Sequence, residues 1–235
     1  MNPLKKFRSE IEPIEEKLGY VFTNKDLLLL AFIHRSFMNE YRGGSLQHNE
    51  RLEFLGDSVL GLIVAETLYH RLPTHPEGHL SQLRSRLVDA NACAQYLQKL
   101  GMNEHILLGK GETLTEGKTK TSISADVFEA LLGAIYLDGG LGVAKSFILC
   151  HFESDFEAVI GSPTRNYKAE LQDISQKQFQ KAPVYKVVGE MGPDHSKQFH
   201  VMVFINDQEW GVGMGASKKE AEQRAAFDAL SKSNL

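Results

Sequence analysis

Glu50, Glu53 and Asp57 are the first residues in this chain from which chemistry can be argued. They stand in His48-Asn49-Glu50-Arg51-Leu52-Glu53-Phe54-Leu55-Gly56-Asp57-Ser58. Leu52, Leu55, Val59, Leu62 and Ile63 recur there at helical spacing, which predicts one long apolar helix. At i, i+3 and i+7 the three carboxylates share one side of it. Like charges stacked this way repel unless they are solvated or neutralised. A hard divalent cation neutralises them, and Mg²⁺ prefers carboxylate oxygens and water. The competing reading is an ordinary solvated acidic face. Two features weigh against it: the acids alternate with core residues, and Gly56 and Gly61 lie beside them. Each glycine costs about 1 kcal/mol against Ala inside a helix, so both are expected to serve close packing.

A second pair, Asp126 and Glu129, repeats the i, i+3 spacing ahead of another apolar helix. Two helices that each offer acids from one face can meet around a common cation. Such a site suits phosphodiester hydrolysis, where the metal acidifies a bound water, orients it and offsets charge on the phosphate. Asp126 alone could simply complement the dipole of a first helical turn. Histidine ligation is the rival metal chemistry. His75 and His79 are four apart, but Pro76 and Gly78 spoil a helix between them, so both are expected in a loop. A Ser–His–acid triad built on His34 lacks a Gly-x-Ser-x-Gly elbow.

The elements that must position these acids read as helices. Pro13, Ile14 and Leu18 mark one that Gly19 stops. Thr23-x-x-Asp26 resembles a capping box opening the next, to about His34. A polar loop with Gly43 and Gly44 precedes the acidic helix, and Pro73 and Pro76 end it. Leu80, Leu83, Leu87 and Leu97 predict one helix closed by Gly101. Gly109 to Thr121 reads as an exposed loop. A helix then starts at Ser124 and ends near Gly139-Gly140, and another runs from about Val143 to Phe156.

The pattern changes after Gly161-Ser162-Pro163-Thr164. A helix from Tyr167 to about Gln178 is followed by strand-like segments at Val184–Val188, Phe199–Ile205 and Trp210–Met214. A helix carrying Ala221, Ala225, Ala226, Ala229 and Leu230 closes an α-β-β-β-α order. The expected organisation is an all-α domain at residues 7–160, a linker at 161–165 and a small α+β domain at 166–235.

The chain has 235 residues, enough for two domains, and a net charge of −4, which argues against a wholly basic nucleic-acid binder. From Ser162 onward Lys and Arg number 10 against 9 Asp and Glu; the rest has 16 against 21, so the acids concentrate ahead of the linker. Cys93 and Cys150 lie in apolar helical contexts and are expected to be reduced and buried, as in a cytosolic protein. No signal peptide is expected. The longest apolar run, Leu27 to Ile33, is too short for a bilayer of about 30 Å, so no membrane partner is expected.

The ten-residue string Asn49 to Ser58 resembles the signature of bacterial ribonuclease III, an endonuclease of double-stranded RNA. Ala31-Phe32-Ile33-His34-Arg35-Ser36 is similar to that family's Ala-Leu-Thr-His-x-Ser segment, departing at Phe32 and Ile33. The resemblance implies four core acids, Glu53, Asp57, Asp126 and Glu129. Of these, Glu53, Asp126 and Glu129 would ligate Mg²⁺, with Mn²⁺ as a substitute. Asp57 and Glu129 would be the residues whose loss most damages turnover. Glu50, and Glu77 in a loop, would be auxiliary acids. It further implies a cytoplasmic homodimer with Phe54 at its interface. Products would carry 5′-phosphate and 3′-hydroxyl ends, released from rRNA, mRNA and tRNA precursors.

The last unit resembles a double-stranded-RNA-binding domain. Asn166 to Asp173 matches that domain's first helix, where Gln172 and Gln176, one turn apart, would reach minor-groove hydroxyls. Gly192-Pro193-Asp194-His195 matches the loop that enters a second minor groove. Gly213-x-Gly215-x-Ser217-Lys218-Lys219 matches a helix start where backbone N–H groups, dipole and Lys218 and Lys219 converge on phosphate. Such a domain reads A-form shape over about 16 bp with little sequence preference. Two rivals stand beside this reading: an RNA-binding scaffold with a dead nuclease domain, and another metal hydrolase using the same acids.

Overall fold

The computed structural model describes residues 2–38, 47–115, 117–162, 167–191 and 197–232. They fall into two separately packed units, Met1–Pro163 and Thr164–Leu235. The expected loop at Gly43-Gly44, the dipeptide Pro163-Thr164, Asn166 and the Gly192–His195 loop lie outside the described residues.

In the first unit α1 (Pro3–Ser9) and α2 (Ile11–Leu18) lead in. Leu4 and Phe7 of α1 reach the core although nothing in the sequence reading announced that helix. Gly19 ends α2 in the left-handed region at φ 63°, where a Cβ would be strained. The cap of α3 (Lys25–Ala31) is Asn24 rather than Thr23: its side chain accepts from the Asp26 amide. That helix also stops three residues earlier than expected. Next come α4 (Arg35–Met38) and the long acidic helix α5 (Glu50–Arg71).

The single helix expected from Leu80 to Leu97 is two, α6 (Glu77–Leu87) and α7 (Ala90–Lys99). The break has a local cause: the Asp89 carboxylate accepts from the Ala92 amide and caps a fresh helix. Glu77 and His79 therefore sit on a helix rather than in a loop, since Pro76 occupies the N-cap, where proline does no harm. The expected loop at Gly109–Thr121 contains α8 (Lys110–Leu114) and a 3₁₀ turn, Gly117–Thr119.

Helix α9 (Thr121–Gly161) contains both helices expected in that stretch, joined through Gly140 at φ 81°, ψ 177°. It is long and apolar enough to cross a bilayer by length and composition, the one such helix among the described residues. Here Val127, Phe128, Leu131, Leu132 and Ile135 are instead buried in the protein core.

The core of this unit is the packing of α5 on α9. A Cβ on Gly56 would stand 1.7 Å from the Glu129 carbonyl oxygen, and one on Gly133 would stand 2.3 Å from the Leu52 carbonyl oxygen. The two backbones therefore touch where these glycines cross. Gly61 does not share this reason: a Cβ there meets nothing within 4 Å. Cys93 is buried as expected, whereas Cys150 is exposed, because its place on α9 faces outward.

The second unit opens with α10 (Tyr167–Phe179) and continues into an antiparallel sheet of order β1-β2-β3: β1 (Val184–Met191), β2 (Gln198–Ile205) and β3 (Gln208–Gly215). Helix α11 (Lys218–Lys232) packs on it. Val201, Val203 and Ile205 face Ala221, Ala225, Ala226 and Ala229 in a shared core. Gly211, Gly213 and Gly215 point inward, and a Cβ on Gly213 would lie 2.2 Å from the Ala221 carbonyl oxygen. Alanines on the helix and glycines on the strand let the two backbones approach closely.

Candidate active site

The α5–α9 crossing explains how acids distant in sequence meet. Glu53 and Asp57 flank Gly56 on α5, while Asp126 and Glu129 occupy the turns of α9 before Gly133. Burial and mutual repulsion mark the meeting. Burial raises the Glu53 carboxyl above its ordinary value, and Asp126, Glu50 and Asp57 push it further. Asp126 is raised mainly by burial, with Glu50 adding and His34 and Arg35 opposing. Burial, then Asp57, Glu53 and Asp126, lift Glu129 to about 7, against a weak hydrogen bond from the Cys93 thiol 3.7 Å away.

A cavity of about 910 Å³ opens over part of this cluster, with Glu50, Glu53 and Asp126 in its wall. Asp57 and Glu129 lie outside that wall, coupled to it electrostatically through Glu53 and Asp126. Among the described residues no three acid, histidine or cysteine side chains close into a ready ion cage. The donors are nevertheless hard oxygens that repel one another, and a divalent charge relieves that repulsion.

Asn49 fastens the head of α5. It is 1% exposed, its amide donates to the Ile33 carbonyl at 2.9 Å and its side chain donates to the Ala31 carbonyl at 3.2 Å. Glu50 projects beside it and pairs with Arg35 at 3.6 Å. Glu77 is not in the cavity wall; it accepts from the Ser81 hydroxyl on its own helix. His75 and His79 stack edge to face, away from that wall.

The sequence reading missed several residues of the wall: Arg35, Ser36, Glu112, Lys120 and Ser122. Arg35 and Ser36 follow His34 directly and could have been found from that segment. Glu112 and Lys120, ion-paired to each other, stand in the stretch read as an exposed loop and carry no pattern of their own. His34, also in the wall, accepts at Nδ1 from the Ser36 amide (3.2 Å) and lies 2.8 Å from the Ser36 hydroxyl. Burial holds its pKa below the usual histidine value, against the pull of Glu112 and Asp126.

In the second unit Gln172 and Gln176 are exposed one turn apart on α10. Lys218 and Lys219 are the exposed first two residues of α11. The Glu220 amide donates to the Ser217 hydroxyl, and the Glu220 carboxylate accepts from the Ala216 amide, a reciprocal cap that fixes this helix start. His195 lies outside the described residues.

Comparison with known proteins agrees with both units. Residues 24–155 match the family described as Ribonuclease-III-like, and residues 167–233 match the double-stranded RNA binding motif. Ribonuclease 3 of Protochlamydia amoebophila is 54% identical over 235 residues, covering 100% of this chain and 97% of its own. Ribonuclease 3 of Bdellovibrio bacteriovorus is 45% identical over 219 residues, 92% of this chain and 93% of its own. The solved nuclease domain of ribonuclease III from Campylobacter jejuni superposes with a TM-score of 0.57 at 41% identity, covering 62% of this chain and 98% of that domain. With relatives of this identity matched nearly end to end, and acids gathered where the two glycines cross, the chain belongs to the ribonuclease III family.

Proposed function

We propose that the helical unit hydrolyses phosphodiester bonds of double-stranded RNA and that the α+β unit supplies much of the affinity. The nuclease function is assigned to residues 7–160 and RNA binding to residues 166–235, with residues 161–165 as the linker. The observation that carries this reading is the Gly56–Gly133 contact, which brings carboxylates of two separate segments into one electrostatic cluster. Family enzymes depend on a divalent metal, and Mg²⁺ fits the oxygen donors here, with Mn²⁺ as a substitute. Glu53, Asp126 and Glu129 would hold it. When bound, it supplies Lewis-acid charge and an acidified water at the phosphate. Asp57 completes the acid set beside Glu129, and these two are assigned the greatest weight in turnover. Glu50 and Glu77 are assigned auxiliary roles, Glu77 at a distance from the cavity. The products carry 5′-phosphate and 3′-hydroxyl ends. Cytoplasmic rRNA, mRNA and tRNA precursors are the proposed substrates. A labelled RNA hairpin incubated with Mg²⁺, with Ca²⁺ and with chelator tests substrate, metal and product ends together; unchanged RNA in Mg²⁺ would refute the assignment.

RNA contact is proposed for Gln172, Gln176, His195, Lys218 and Lys219. A chain ending at Ser162 is expected to lose at least about tenfold in duplex affinity at physiological salt while still cutting at low salt, because phosphate contacts dominate such binding. Equal affinity in a gel-shift titration would remove the role of the second unit.

The working form is proposed to be a homodimer. Phe54 is 77% exposed, and Leu62 and Tyr69 lie exposed further along α5. Gly61 shares the Phe54 side of the helix, and a Cβ there meets nothing within 4 Å among the described residues, which leaves room for a second copy. A region of the Campylobacter jejuni domain is described as involved in dimer formation. In a two-fold interface Phe54 occurs twice, once from each protomer, at about 2 kcal/mol each. Phe54→Asp should therefore raise the dissociation constant by about 10³-fold, read by sedimentation equilibrium. An undiminished dimer would place the interface elsewhere.

A further inference from the structure

We infer that His34 is a phosphate-contacting residue: its Nε2–H, held in one tautomer, donates to a non-bridging oxygen of the scissile phosphate. This rests on the nuclease reading of the acid cavity and names a group to which that reading assigns no role.

The tautomer follows from proton bookkeeping. The Ser36 amide can only donate, and it points at His34 Nδ1 from 3.2 Å. The Ser36 hydroxyl accepts the Gly109 amide at 3.0 Å, so its own hydrogen is free to turn toward Nδ1, 2.8 Å away. Nδ1 is thus an acceptor, and the neutral ring must carry its hydrogen on Nε2. Protonating Nδ1 would set its hydrogen against an amide hydrogen that has no other role at this helix start. The ring is therefore a fixed neutral donor rather than a titrating acid.

The position of that donor gives it a use. His34 lines the cavity together with Glu50, Glu53 and Asp126. The cations in the same wall are already committed, Arg35 to Glu50 and Lys120 to Glu112. Among the described residues no hydrogen-bond acceptor engages Nε2, and Nε2 is not one of the fully buried polar atoms left without a partner. A polyanion entering a cavity ringed with carboxylates needs donors that carry no anionic partner of their own. Preorganised neutral donors of this kind lower the barrier when charge builds on a phosphate oxygen.

Asn at this position separates the two roles of the ring. In His34→Asn the side-chain oxygen still caps the Ser36 amide, because Asn is a favoured N-cap, but the donor to the cavity is gone. Expected are an unchanged melting temperature and a kcat reduced about 10²-fold. KM and the Mg²⁺ half-saturation should stay within about twofold. With a single phosphorothioate at the scissile bond, the penalty should shrink to about threefold or less for one diastereomer, whose sulfur replaces the contacted oxygen, and persist for the other. An equal penalty on the oxygen substrate and on both sulfur diastereomers overturns the contact. Loss of one limb of the pH–rate profile overturns the fixed-donor role and makes His34 a titrating group.

Nitrogen NMR of the full-length wild-type protein gives an answer that does not depend on the variant. Nε2 should be the protonated nitrogen of the neutral ring, and its signal should move when duplex RNA binds in Ca²⁺. A proton on Nδ1, or an Nε2 signal indifferent to RNA, overturns the proposal. If the wild-type protein leaves the hairpin intact in Mg²⁺, it is the nuclease reading that has failed, and the tautomer measurement still stands.

Discussion

Glu129→Gln is expected to cut the turnover of duplex RNA by about 10³-fold or more while making the metal-free protein more stable at alkaline pH. The two effects share a cause. Burial and the charges of Asp57, Glu53 and Asp126 raise Glu129 to about 7 in the folded chain, against an ordinary glutamate value of 4.5. Between those values the folded protein holds a proton that the unfolded chain releases. The stability contributed by this group is therefore full below its unfolded pKa and is lost as pH rises through its folded pKa. At pH 8 the metal-free wild type carries an unrelieved charge there. Removing that charge should stabilise it by about 1–2 kcal/mol, discounted for solvent screening, and by little at pH 5. Divalent cation reverses the order: it should raise the melting temperature of the wild type more than that of the variant. Below pH 7 the proton competes with the metal, so wild-type cleavage should need more Mg²⁺ as pH falls. Thermal melts with Mg²⁺ and with chelator at both pH values check this. A variant that cleaves normally, or that melts lower than wild type at pH 8 without metal, contradicts the assignment.

The second large effect comes from a residue with no functional group. Gly56→Ala puts a methyl group 1.7 Å from the Glu129 carbonyl oxygen, and no rotamer can move it. The helices must separate or bend. A cost of at least about 3 kcal/mol is expected, a fall of about 6–12 °C in melting temperature. Whatever folds should also be catalytically poor, since misplacing reacting groups by about 1 Å costs about 10²-fold. Gly142→Ala is the control: it lies on α9, the helix that Gly56 packs against, nothing among the described residues stands within 4 Å of its Cβ, and it should gain up to about 1 kcal/mol from helix propensity. If Gly56→Ala melts and cleaves like Gly142→Ala, backbone contact is not what assembles the acids.

The helix boundaries show where local reading succeeds and where it fails. Period and breakers sufficed for α5, where apolar spacing is long and uninterrupted, and for α10 and α11. They failed at Val88-Asp89, where the leucine spacing continues in phase across a break that one capping side chain creates. They failed again at α8, whose short run has no apolar period to detect. The exposed Cys150 and the inward glycines of β3 follow from which face a neighbouring element covers, and that is not written in any one segment.

The order of residues alone determined the chemistry available: five acids on two helical segments, hard oxygen ligands, and a separate unit with lysines at a helix start. It also pointed to a packing reason for both Gly56 and Gly61, because a glycine inside a long helix costs stability that something else must offset, and packing within the described residues supports this only at Gly56. Which acids meet was settled only by the tertiary structure. Glu53, Asp57, Asp126 and Glu129 are coupled because two backbones touch at Gly56 and Gly133, whereas Glu77, an acid of the same type, stands apart on its own helix. Arg35, Glu112 and Lys120 entered the cavity wall the same way, through the folding of distant segments onto one another. Charge, hydrogen bonding and repulsion act across a few ångströms of space, and the chain in its linear order does not specify those distances.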